Sequence, residues 1–165
     1  MSQRNPAMPL WKRMPSLLAL LLAPMPAGAQ SAVKPDATIQ LDDAISIAGK
    51  AREIAAKKKL AIAIVIVNRE GRVILSQRMD NASFVSLELA EAKARTAAAL
   101  GIPTRYLEQQ VDAGKPSVLS APGVVMIAGG VPLMASDRII AGVGISGSSS
   151  ADDDAIASAA VLPAQ

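Results

Sequence analysis

The chain has 165 residues, 17 basic and 14 acidic, and no histidine or cysteine. This composition excludes Ser-His-Asp triads, cysteine nucleophiles, disulfides and the usual zinc sites. The basic excess lies entirely in Arg4, Lys12 and Arg13, so the positive net charge is no argument for nucleic acid as a partner.

Those three residues open a secretory signal: a positive start, a short apolar core over residues 17–23, and an Ala27-Gly28-Ala29 cleavage site. The core is far shorter than the ~20 residues that span a bilayer, and Pro24 and Pro26 interrupt it. The expectation is a signal peptide over 1–29, a mature chain starting at Gln30, a periplasmic or secreted location, and no membrane span after cleavage. Residues 30–40 read as a flexible leader, and 41–165 as one domain.

The first element is a helix. Leu41, Ala44, Ile45, Ala48, Ala51 and Ala55 recur at helical spacing, Thr38 is a candidate cap, and the helix should end near Lys59. Lys57, Lys58 and Lys59 complement the negative end of its dipole. Residues 61–67 are apolar and mostly β-branched, as a buried strand requires. Asn68-Arg69-Glu70-Gly71 supplies a turn, and residues 72–78 return as the partner strand. Asp80, Asn81 and Ser83 break the chain before a second helix over 84–100, closed by Gly101 and Pro103. A short third helix fits 104–113.

After a loop over 115–123, strands are expected at 124–128, 131–135 and 138–145, separated by Gly129-Gly130 and Ser136-Asp137. Ser149 or Ser150 caps a last helix. The order is α-ββ-αα-βββ-α. Hairpin connections make the sheet antiparallel, so the fold class is α/β (α+β): an antiparallel five-stranded sheet flanked by helices. Aromatic residues are only 2 % of the chain, so the core must be built from small and branched side chains. A near-neutral, alanine-rich surface also favours self-association.

Two motifs have more than one reading. Gly142-Val143-Gly144-Ile145-Ser146-Gly147 spells G-x-G-x-x-G, but no βαβ unit follows it, so no nicotinamide cofactor is expected. The glycines instead admit close backbone approach and a sharp turn. Asp152, Asp153 and Asp154 cap the last helix or hold a hard cation.

The segment from Glu91 to Ala97, Gly129-Gly130-Val131-Pro132, the glycine run at 142–147 and Asp152-Asp153 stand in order behind the hairpin at Asn68-Arg69-Glu70-Gly71. Together they resemble the GlcG/HbpS family of haem-binding proteins, whose domain also forms the C-terminal part of PduO-type proteins. The likeness runs from about residue 41 to 161. It implies a helix-flanked antiparallel sheet, self-assembly into a homo-oligomer, and haem as a cofactor. On the family's motif, Lys93 and Thr96 are the positions carried over, Thr96 as a haem-contacting hydroxyl. Arg95 or Arg105 would pair a propionate.

Three functions follow as expectations. The first is an exported oligomeric binding protein for haem or another flat small ligand, using Lys93, Arg95, Thr96 and Arg105. The second is an enzyme on a small carboxylate, built from Lys93, Arg95 and Glu91. The third is a structural oligomer without ligand.

Overall fold

In the computed structural model, residues 38–162 are described. The expected signal peptide, its cleavage site and the leader up to residue 37 lie outside the described residues. The elements are α1 (Leu41–Lys57), β1 (Ala63–Asn68), β2 (Val73–Arg78), α2 (Val85–Leu100), α3 (Arg105–Asp112), β3 (Gly130–Ala135), β4 (Arg138–Ser146) and α4 (Ser150–Val161), with a short 3-10 turn at Pro116–Ser120. No described helix is long and apolar enough to cross a membrane.

The sheet has four strands, not five, in the order β2-β1-β4-β3, and every pairing is antiparallel. The strand expected at 124–128 is absent because its backbone is committed elsewhere. The Val125 N–H donates to Thr96 Oγ1 at 3.1 Å instead of to a strand. Gly123 (φ +70°) and Gly129 (φ +118°) then bend the chain at both ends of the segment. The element order is therefore α-ββ-αα-ββ-α. A second expectation also fails: Gln40, not Thr38, occupies the cap position of α1, and no side chain caps it.

Alternation along β1 builds two cores. Ile62, Ile64 and Ile66 point to one face, where Ala44, Ala48, Ala51 and Ala55 of α1 and Ile156, Ala157 and Ala160 of α4 cover them. Ala63, Val65 and Val67 point to the other, under Ala90, Ala94 and Ala98 of α2. The result is three layers, helix–sheet–helix. The small helical side chains bring the layers close, which offsets the scarcity of large apolar groups.

Glycine sets the distance on the α2 side. Gly130 and Gly144 are paired across β3 and β4, and Gly142 lies two residues along β4. A Cβ at Gly130 would meet the Lys93 carbonyl oxygen, at Gly142 that of Ala94, and at Gly144 that of Ala90. The α2 backbone thus rests directly on the sheet, so the glycine run serves packing, as the sequence suggested. Thr104 fastens α3 to the same place: its N–H donates to the Gly130 carbonyl at 2.9 Å, and its Oγ1 accepts from the Gly130 N–H at 2.8 Å.

Candidate functional site

The three aspartates at the start of α4 each hold a cation from a different helix. Ser149 caps the helix by accepting from the Asp152 N–H at 3.1 Å. Asp152 pairs with Lys58, just past the end of α1, at 2.8 Å. Asp153 pairs with Lys93 of α2 at 2.8 Å. Asp154 pairs with Arg105 of α3 at 3.3 Å. The run therefore works as a cap and a tie. Among the described residues, no group of acidic side chains is arranged to hold a metal.

This geometry separates the candidate residues. Lys93 is fully buried; its ammonium donates to Asp153 Oδ2 at 2.8 Å and to the Ile145 carbonyl at 2.9 Å. Asp153 Oδ1 accepts from the Ser148 N–H at 3.1 Å. Thr96 is buried beneath Val125. Arg105 lies against α4, bonded to Asp154 and Ser158 and 4.9 Å from the Tyr106 ring centroid. The Tyr106 hydroxyl, and then the Asp154 charge, hold its pKa above the ordinary arginine value against the opposing effect of burial. Arg95 is exposed. Its Nε donates to the Gly71 carbonyl at 3.1 Å, and its Nη2 pairs with Glu91 at 2.5 Å. The four residues do not converge on one site.

Arg95 instead belongs to a groove that the sequence did not reveal. The hairpin turn after β1 is held by Asn68, whose Oδ1 accepts from the N–H groups of Glu70 (3.2 Å) and Arg72 (2.8 Å). Gly71 adopts φ +76° there, which suits glycine. Between this turn and α2 lies a cleft of about 380 Å3 lined by Arg69, Arg72, Arg95, Ala99 and Gly123, among others. A second cleft of about 350 Å3 shares Arg69 and Ala99 and adds Ala98, Arg138 and Ile139. Together they form an arginine-rimmed groove with a floor of small side chains. Arg69 and Arg95 are partly neutralised by Glu70 and Glu91, whereas the Arg72 guanidinium has no partner among the described residues.

Arg69, Arg72 and Arg138 escaped sequence reasoning because they sit in two turns far apart in the chain. Only the pairing of β1 with β4, Asn68 opposite Ala141, brings those turns to one end of the sheet. An arginine in each hairpin turn was the available signal, and it has no meaning until that pairing is known.

The fold defines a class: a small helix–sheet–helix domain built on a four-stranded antiparallel sheet. The family described as "Haem degrading protein HbpS-like" matches residues 39–162, and the chain belongs to that family. Protein GlcG of Escherichia coli K12 is 33 % identical over 107 residues, covering 65 % of this chain and 78 % of that protein. A crystal structure of a double mutant of Streptomyces reticuli HbpS superposes with a TM-score of 0.73 at 30 % identity, covering 84 % of this chain and 96 % of that one. The complex of PduOC with haem superposes at 0.68 with 32 % identity, covering 75 % and 93 %.

Proposed function

We propose that this protein is an exported, self-assembling binding protein whose ligand is haem, or a flat acidic molecule of that kind, taken up beside α2. The observation that carries the reading is the groove with Arg69, Arg72, Arg95 and Arg138 on its rim and Ala98 and Ala99 on its floor. A porphyrin has a flat apolar body and two carboxylates. Small side chains admit the body, and guanidinium groups pair carboxylates bidentately. The relative solved with haem supports the choice of ligand.

Thr96 joins the same reading through the covering segment. Gly123 lines the groove, and two residues later the Val125 N–H caps the Thr96 hydroxyl. Thr96 would be a residue to hold the haem only if this segment were displaced from its hydroxyl. The residues present fit the acidic edge of haem better than its iron. With no histidine or cysteine, the iron would be held by a hydroxyl, methionine, tyrosine, amine or water, so binding should be loose and sensitive to imidazole.

The test is a haem titration of the mature chain followed in the Soret region. A saturable shift that is lost in Arg72→Ala/Arg95→Ala supports the reading. The spectrum of free haem at every ratio overturns it. Export is checked by N-terminal sequencing of the secreted protein, expected to begin near Gln30. Assembly is checked by light scattering, expected to give a mass above that of a dimer.

A further inference from the structure

The arginine groove is made of two clefts, and its charge is not spread evenly between them. Arg69 and Ala99 line both clefts and so form the ridge that divides them. Glu70 stands at this ridge with its Oε1 3.5 Å from the Arg69 Nε, which brings the middle of the groove close to neutral. Positive charge remains on either side. In the first cleft Arg95 is already bonded to Glu91 and to the Gly71 carbonyl, whereas the exposed Arg72 guanidinium has no partner among the described residues. In the second cleft Arg138 is exposed at the start of β4.

We propose that the ligand of this groove carries two carboxylates on separate arms, one meeting Arg72 in the first cleft and the other meeting Arg138 in the second, with an apolar body lying across the ridge between them. The assignment rests on the reading of the groove as the ligand site, and it narrows that reading to one class of molecule.

The sheet sets the separation of the two charges. Arg72 leads into β2 and Arg138 opens β4, and β1 lies between those strands. Two strand spacings are about 10 Å. A single carboxylate does not reach across that gap, so a monoacid answers one guanidinium and leaves the other. A compact dianion such as inorganic phosphate would bring both charges into one cleft, and in the first it would lie beside Glu70, which also lines that cleft. A neutral flat molecule answers neither arginine. Two acid groups held apart by an apolar body answer both, each through the two N–H groups a guanidinium offers a carboxylate. The body then covers Ala98, Ala99 and Ile139.

The test is a titration of the mature chain with metal-free deuteroporphyrin IX, its monomethyl esters and its dimethyl ester, followed by porphyrin fluorescence, so that no iron ligation contributes. The diacid should bind tightest, and each esterification should weaken binding about fivefold, the size of one well-placed ion pair near the surface. Arg72→Ala and Arg138→Ala should each weaken the diacid by a similar factor. The double variant should bind the diacid no better than the wild type binds the dimethyl ester, and the dimethyl ester should bind all four proteins alike. Circular dichroism should be unchanged throughout. At matched ionic strength, inorganic phosphate should not displace the diacid. Monoesters that bind as tightly as the diacid, displacement by phosphate, or diacid affinity unchanged in either single variant would overturn the two-armed assignment while leaving the groove as the ligand site. No saturation by any of the porphyrins would overturn the ligand reading and this assignment together.

Discussion

The Lys93 ammonium meets Asp153 Oδ2 at 2.8 Å with both side chains buried, and this pair fastens α2 to the start of α4 across the end of β4. A buried ion pair gains little over a well-packed apolar pair, but removing one partner strands the other charge away from water. Here the stranding is complete, because Asp153 also accepts from the Ser148 N–H and cannot swing out without breaking the turn before α4.

Lys93→Met should therefore cost about 3–5 kcal/mol in urea unfolding at fixed protein concentration. Lys93→Met/Asp153→Leu should recover most of that loss. A single variant as stable as the wild type would show that the pair is not what joins the two helices.

Glycine substitutions should separate packing from propensity. A Cβ at Gly144 runs into the Ala90 carbonyl oxygen, so Gly144→Ala should unfold the chain or lower its Tm sharply, with or without any nucleotide present. Gly49 lies in α1, where an added Cβ would meet nothing within 4 Å, so Gly49→Ala should stabilise by up to about 1 kcal/mol through helix propensity. Thermal melts of the two proteins should shift in opposite directions.

These relationships also mark how far the sequence could be read. Periodicity placed each helix within a few residues, because alanines at 44, 48, 51 and 55 recur on one face and the β-branched run around Ile64 cannot be mistaken for a loop. It failed at 124–128, where an apolar run looks like a strand but its Val125 N–H is taken by a threonine 29 residues away. It failed in the same way at the candidate site. Lys93, Arg95 and Thr96 are neighbours in the chain, yet the helical turn sends Lys93 and Thr96 inward and Arg95 to solvent. Burial direction depends on where the sheet lies, and local spacing does not report that.

The tie between Asp152 and Lys58 should make stability depend on pH. The hydrogen bond from Lys58, followed by that from Ser149, holds the Asp152 carboxyl below its ordinary value of 3.8. A depressed folded-state pKa adds stability that is fully present above the unfolded value and is lost as pH falls through the folded one. Glu53, lowered from 4.5 by Lys57, acts in the same direction. Asp152→Asn should thus lower Tm modestly at neutral pH and have a shrinking effect once the pH drops below 3.8. Both pairs are exposed, so added salt should reduce the neutral-pH difference. A deficit that stayed constant from neutral to acid pH would assign the effect to helix capping alone.

The last prediction concerns which part of the protein the ligand touches. The Thr96 hydroxyl accepts from the Val125 N–H, and Arg95, one residue earlier, faces the groove that Gly123 helps to line. Thr96→Ala removes the acceptor, so the Val125 amide should exchange with solvent faster, with a stability loss of about 1 kcal/mol. If the proposed haem reaches Thr96 once this segment moves, the same substitution should shift the Soret maximum while haem still binds. Arg95→Ala should leave the Soret position alone and weaken affinity, most at low salt, because an exposed charge pair is screened as ionic strength rises. A Soret maximum unmoved by Thr96→Ala, together with weaker binding in Arg95→Ala, would confine the ligand to the arginine groove and remove Thr96 from the site.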